Sequence, residues 1–181
     1  MKSLDPVFTV WMTGLPSSGK TTLARLLCRH LRRRGLRADM IDGDTLRRGW
    51  CAKLGFSRHD REENIRRAAT LARLLNEADI VAIVALVSPF RQARTDARRR
   101  IGPARFIEAY VRCPLSVCKK RDVKGLYGLA VRGKILRLTG VSGLYEPPSR
   151  PDWVMDTSRC SPADCVKTIL KVLRKKGFFA A

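Results

Sequence analysis

The stretch Val10-Trp11-Met12-Thr13-Gly14-Leu15-Pro16-Ser17-Ser18-Gly19-Lys20-Thr21-Thr22 carries an apolar strand directly into the pattern G-x-x-x-x-G-K-T. Glycines at 14 and 19 allow a turn whose backbone N–H groups point inward and cradle phosphate oxygens. Lys20 then reaches the β- and γ-phosphates of a nucleoside triphosphate, and the Thr21 hydroxyl is placed to ligate Mg²⁺. Leu23, Leu26, Leu27 and Leu31 follow at helical spacing, so the loop opens a helix whose N-terminal dipole favours an anion. An ordinary Gly-rich turn shares the bare pattern, but a strand before and a helix after are the setting of a phosphate-binding loop. Gly14, Ser17, Ser18, Gly19, Lys20, Thr21 and Thr22 are therefore the candidate triphosphate residues, with Thr21 the candidate metal ligand.

Outward from this loop, short apolar or mixed runs alternate with helical patterns. Strands are expected over residues 7–13, 38–42, 80–87, 106–112 and 153–156. Alternation of strand and helix implies an α/β P-loop NTPase fold, a parallel β-sheet flanked by helices on both faces. Ligands of such sheets gather at the carboxyl ends of the strands, so Gly14, Asp42, Ser88, Pro114 and Thr157 are expected on one rim. Ile65, Ala68, Ala69, Ala72 and Leu75 mark a helix over 60–78, which Ser57 and Asp60 start as a capping box. Ser161-Pro162-Ala163-Asp164 is a second start signal, ahead of Val166, Ile169, Leu170 and Leu173.

A length of 181 residues suits one domain, taken as a single P-loop domain over 1–181. No run approaches 18 apolar residues, which speaks against a membrane span. The first strand begins too soon for a signal segment, so a cytoplasmic protein is the expectation. Six cysteines without a C-x-x-C pair, most of them in apolar periodic segments, read as reduced thiols. His30 and His59 lie on polar helical stretches and read as solvated. With 37 Lys plus Arg against 16 Asp plus Glu, the net charge of +21 attracts anions of every kind. Clusters such as Arg32-Arg33-Arg34 and Arg98-Arg99-Arg100 end helical patterns, where cations also complement the helix dipole.

Residues 121–152 are rich in Gly, Pro and charge, and read as a lid carrying cations that close over phosphates. Asp42-Gly43-Asp44 with Arg47 places two carboxylates and an arginine after the second strand. Phosphoryl transfer needs such groups to orient an accepting hydroxyl and hold Mg²⁺, although Asp-Gly-Asp alone also makes a plain turn.

The chain resembles the adenylylsulfate kinase family from about Phe8 to the last helix. The resemblance rests on Thr9 to Leu15, Asp42-Gly43-Asp44, Leu54-Gly55-Phe56-Ser57, Asp60-Arg61 with Glu63-Asn64-Ile65-Arg66-Arg67, and Ser88-Pro89-Phe90-Arg91. It continues through Arg121-Asp122, Lys124-Gly125-Leu126-Tyr127, Leu138-Thr139-Gly140 and Tyr145-Glu146-Pro147. It implies transfer of the γ-phosphoryl group of ATP, with Mg²⁺, to the 3′-hydroxyl of adenosine 5′-phosphosulfate (APS), for sulfate assimilation. Position by position it implies Lys20, Asp42 and Asp44 as the catalytic set, with Asp44 nearest the hydroxyl and Asp42 supporting it. Arg47, Arg61 and Asn64 match groups on the phosphosulfate and ribose, and Phe56 an aromatic against the adenine. Phe56 in its apolar run is otherwise read as core packing. Val87 and Ser88 match the wall under the acceptor, with Lys124, Gly125 and Leu138 around it. Arg121 and Cys160 match the surroundings of the ATP adenine, and a homodimer is implied by resemblance alone.

The chain departs from the family pattern mainly on the acceptor side. Leu138 stands where phenylalanine usually forms the second face of the adenine clamp. Stacking contributes about 1–3 kcal/mol per base, so APS binding weaker by about tenfold is expected. Trp50-Cys51-Ala52-Lys53 replaces a usual Leu-Asn-x-Asp, with a lysine expected beside the acceptor pocket, and Thr45 replaces asparagine. Pro16-Ser17 replaces Ser-Gly in the phosphate loop and stiffens it. Leu138 and Lys53 motivate a second reading, a kinase of the same build acting on another nucleotide such as a CDP derivative. The charge motivates a third and weaker one, a basic nucleic-acid-binding P-loop protein, which the Asp42–Asp44 and Asn64–Arg67 constellations do not suit.

Overall fold

The structure, a computed structural model, describes residues 7–179; the remaining positions of the expected 1–181 domain lie outside the described residues. Strands β1 (Thr9–Thr13), β2 (Ala38–Asp42), β3 (Val81–Ala85), β4 (Phe106–Arg112) and β5 (Trp153–Asp156) form one sheet in the order β2-β3-β1-β4-β5. Every pairing is parallel, with Met12 opposite both Ala85 and Ala109 at the centre. Helices α1 (Lys20–Arg33), α2 (Gly43–Arg48), α3 (Arg58–Glu77), α4 (Arg91–Ile101), α5 (Leu115–Arg121), α6 (Leu126–Val131) and α7 (Pro162–Lys175) connect and cover it. The alternation of side chains along β1 divides the core. Val10 and Met12 pack under α1 and α7, while Trp11 packs under α3 and α4. Central strands buried on both faces are the signature of a doubly covered parallel sheet.

Polar anchors fix the register of these layers. Thr9 donates to the Asn76 side chain on α3 at 2.9 Å, and the Asn76 amide returns bonds to the Phe8 and Ile80 carbonyls. Ser57 and Asp60 form the expected capping box, and Ser161 caps α7 through the Asp164 N–H. The expected third strand stops at Ala85, two residues early. Beyond it the Val87 carbonyl accepts from the Thr13 hydroxyl at 2.8 Å, and Ser88 turns to φ 38°, a left-handed conformation that no ladder accommodates.

The lid expected over 121–152 is more structured than a bare loop. It contains α6, and Tyr127 and Leu138 join Cys113 and Cys118 in a third apolar cluster. Its Tyr127 hydroxyl donates to the Pro16 carbonyl at 3.0 Å, and Gly140, at φ 86°, lies so close to the loop that a Cβ there would press on the end of the Leu15 side chain at 2.4 Å. The lid thus rests on the phosphate loop itself. Five cysteines are buried and Cys160 is exposed, all six as free thiols. His30 departs from its solvated reading, since its Nε2 is buried without a partner and burial lowers its pKa. Among the described residues no helix is long and apolar enough to cross a membrane.

Candidate active site

The loop between β1 and α1 owes its shape to backbone that only small residues permit. A Cβ on Gly14 would lie 2.4 Å from the Val111 carbonyl, and Gly19, at φ 97°, precedes the first turn of α1. Ser17 holds φ 60°, and its hydroxyl is buried with no partner in the protein. Lys20 folds back on the loop, donating to the Leu15 carbonyl at 2.7 Å, the Gly14 carbonyl at 3.0 Å and the Ser18 hydroxyl at 3.3 Å. Burial outweighs the attraction of Asp42 and Asp44 and pulls its pKa down from 10.5 to about 8. An ammonium that burial penalises, ringed by carbonyls, is a strong receptor for added negative charge.

Asp42 ends β2 and caps α2, its Oδ1 accepting from the Asp44 and Thr45 N–H groups. Its Oδ2 accepts from the Thr21 hydroxyl at 2.9 Å, so the loop threonine and the strand-end carboxylate meet. Asp42 therefore stands on the phosphate side, and its bond to Thr21 was not legible from the expectation that it supports Asp44.

Two cavities open along the carboxyl rim. The first, about 420 Å³, is lined by Ser17, Gly19, Lys20, Thr21 and Thr22, together with Arg121 and Cys160. The second, about 590 Å³, is lined by Arg47, Phe56, Arg61, Asn64, Val87 and Ser88, with Leu138 on the lid side. Asp44 and Gly43 belong to both walls, together with Pro16, Leu86, Val87 and Leu126. Two ligands seated in the two cavities meet beside the Asp44 carboxylate.

The second cavity is built for an anion with an aromatic end. Phe56 is 61% exposed, so the core-packing reading of that residue fails. The Arg47 and Arg61 guanidiniums stand 4.5 and 5.5 Å from its ring centroid. Neither has a carboxylate partner among the described residues; both bond carbonyls or hydroxyls instead. Burial lowers the pKa of each, and the Arg47 charge lowers that of Arg61 further. Two like charges held together with no carboxylate bonded to either are relieved by a bound anion. Asn64 is 7% exposed, and its Oδ1 is buried without a donor at this wall.

Several expected residues sit elsewhere. Lys124 lines the first cavity and pairs with Asp44 across the shared mouth. Gly125 lines neither cavity, and serves as the left-handed residue (φ 66°) that starts α6. Gly14 and Ser18 line neither cavity and instead accept from Lys20, through the Gly14 carbonyl and the Ser18 hydroxyl. Lys53 is exposed and lines neither cavity, so the lysine expected beside the acceptor pocket does not alter its wall. Sequence reasoning placed Thr157 on the rim but gave it no role. Its hydroxyl donates to the Ser18 carbonyl at 2.8 Å, and its own carbonyl accepts from Arg121 at 2.5 Å.

A phosphate loop on a five-stranded parallel sheet, with a second ligand cavity sharing a carboxylate, defines a P-loop small-molecule kinase. Within that class the chain belongs to the adenylylsulphate kinase family, whose sequence profile matches residues 6–156. It is 50% identical over 167 residues to the adenylyl-sulfate kinase of Burkholderia ambifaria, covering 92% of each chain. It is 44% identical to that of Halothermothrix orenii, covering 94% of this chain and 91% of the relative. Its fold superposes on the Mycobacterium tuberculosis APS kinase, solved with AMPPNP and APS, with a TM-score of 0.90. That match covers 93% of this chain and 98% of the other at 37% identity.

Proposed function

We infer that the protein transfers the γ-phosphoryl group of ATP to the 3′-hydroxyl of APS, giving 3′-phosphoadenosine 5′-phosphosulfate and ADP, as in sulfate assimilation. The observation that carries the reading is the pair of cavities sharing Asp44, one built on the phosphate loop and one on Phe56 and two arginines that bond no carboxylate. The related M. tuberculosis enzyme, which was solved with both AMPPNP and APS, supports the assignment of one nucleotide to each.

In this reading ATP occupies the first cavity, with its base toward Arg121 and Cys160 and its phosphates on the loop. Lys20 exchanges its carbonyl partners for phosphate oxygens and offsets charge that develops in transfer. APS occupies the second, its adenine against Phe56, its phosphosulfate between Arg47 and Arg61, and a hydroxyl donating to Asn64. Asp44 accepts or orients the 3′-hydroxyl proton at the shared mouth, once Lys124 yields its place on that carboxylate. The hard oxygens of Thr21 and Asp42, within hydrogen-bond reach of each other at the loop, fit Mg²⁺, which keeps several waters and takes few protein ligands. When bound there Mg²⁺ supplies charge neutralisation between the phosphates. The lid closes this space from above, and its contact with Pro16 couples it to the phosphate loop.

A cytoplasmic setting suits an ATP-consuming enzyme with six free thiols. A homodimer is the assembly proposed from the family resemblance, and sedimentation at micromolar concentration tests it. Turnover of Asp44→Asn tests the chemical role: kcat falls by at least about a hundredfold while the KM values for both nucleotides change little. An unchanged kcat removes Asp44 from the mechanism.

A further inference from the structure

Beyond the cavities, one side chain ties the acceptor wall to the lid. Arg94 on α4 is 2% exposed and spends its guanidinium in three directions. Nε donates to Glu108 on β4 at 2.7 Å, Nη1 to the Ser88 carbonyl at 2.7 Å, and Nη2 to the Glu146 carbonyl at 2.8 Å. Ser88 is the left-handed residue of the acceptor wall, and its hydroxyl accepts from the Trp11 indole at 3.1 Å. Glu146 lies where the lid rejoins the sheet. Its N–H donates to the Pro89 carbonyl at 2.8 Å, and its carboxylate accepts from the Arg91 N–H at 2.8 Å. Beside it the Tyr145 hydroxyl meets Thr13 Oγ1 at 3.1 Å, and that same threonine donates to the Val87 carbonyl.

We propose that Arg94, seconded by Tyr145, is a positioning residue for the acceptor: it clamps the strained Val87–Ser88 wall and the lid's returning stem into one rigid unit. The unit sets the floor of the second cavity and makes residues 145–147 a fixed end against which the rest of the lid moves. A non-glycine residue at φ 38° persists only where its surroundings over-determine it, and the bonds from Trp11, Thr13 and Arg94 do so at this wall. The guanidinium is required because its planar fork serves a carboxylate and two carbonyls at once, which an ammonium on a flexible stem does not. The proposal rests on reading the second cavity as the APS site.

The test is steady-state kinetics of Arg94→Lys and Tyr145→Phe with both substrates varied, alongside thermal unfolding. Lysine keeps a cation for the half-buried Glu108, so the fold is retained while the fork is lost. The KM for APS then rises by about tenfold, the equivalent of one lost charge-assisted bond at the wall, with the KM for ATP unchanged. Tyr145→Phe raises it less, and the double variant is less than multiplicative because both act on one unit. Asn64→Leu, inside the cavity, separates the two readings. If it raises the KM for APS while Arg94→Lys lowers only the melting temperature, Arg94 is merely structural and the proposal is overturned. If Asn64→Leu also leaves that KM unchanged, the assignment of the cavity has failed instead.

Discussion

Replacing Asn64 by leucine separates what the site contributes to folding from what it contributes to binding. In the free protein the Asn64 Oδ1 is buried with no donor, a situation that costs about 1–3 kcal/mol. Leucine keeps the same γ-branched shape without that orphan, its two methyl groups being bulkier than the amide atoms they replace. The unliganded variant therefore gains about 1 kcal/mol, and its melting temperature rises by about 2–4 °C. Binding reverses the sign. A substrate hydroxyl that donates to Asn64 relieves the penalty in the native enzyme, and leucine cannot accept from it. The KM for APS rises between about tenfold and a hundredfold, while that for ATP, held in the other cavity, stays within about twofold. Differential scanning fluorimetry without ligand and initial rates with each substrate varied read both effects on one preparation. A variant that melts lower than the native protein and keeps its KM for APS refutes the reasoning: Asn64 would then have its donor in the free protein, and the cavity would not be the APS site.

Three other outcomes follow from the same geometry. Gly14→Ala forces a methyl within 2.4 Å of the Val111 backbone, so the loop shifts, the stability falls by about 1–3 kcal/mol and the KM for ATP rises; unchanged melting and unchanged KM contradict this. Lys20, with its pKa brought down to about 8, is largely neutral in the free protein above that pH, and phosphate favours its charged form. Nucleotide affinity is thus full below pH 8 and falls above it, by at most about tenfold per unit, with binding drawing in a proton. Calorimetry in buffers of different ionisation enthalpy at pH 8.5 checks that uptake, which Lys20→Met abolishes. Asp42→Asn keeps the helix cap but weakens the oxygen set beside Thr21, so half-maximal activity requires about tenfold more Mg²⁺; an unaltered requirement removes Asp42 from the metal side.

What was legible in the sequence was local. The phosphate loop, the capping box at Ser57 and Asp60, the Ser161-Pro162 start and strands at 38–42, 106–112 and 153–156 all declare themselves within a few residues, and the structure has them at those places. Exposure was less legible than periodicity. Phe56 stands in an apolar run that suits a core, yet α3 begins two residues later and carries it outward to the cavity. Bonds across long separations had no signal at all. Tyr127 reaches Pro16 over 111 positions, Thr157 reaches Ser18 over 139, and Arg94 reaches Glu146 over 52. Each depends on the strand order β2-β3-β1-β4-β5, which brings distant strand ends to one rim. Lys124 shows the same limit: family position puts it with the acceptor, and its pairing with Asp44 at the shared mouth, 80 positions away, had no local signal. Leu138 is both buried in the lid cluster and part of the cavity wall, so one residue serves packing and recognition where a motif suggested recognition alone.

If the two cavities bring ATP and APS together at Asp44, the products show it. Purified protein is incubated with MgATP and APS and the products are separated chromatographically, beside cytidine and guanosine nucleotide acceptors and a Lys20→Met control. ADP and 3′-phosphoadenosine 5′-phosphosulfate form in equal amounts, dependent on APS and lost in the control. ADP formed only with another acceptor contradicts it.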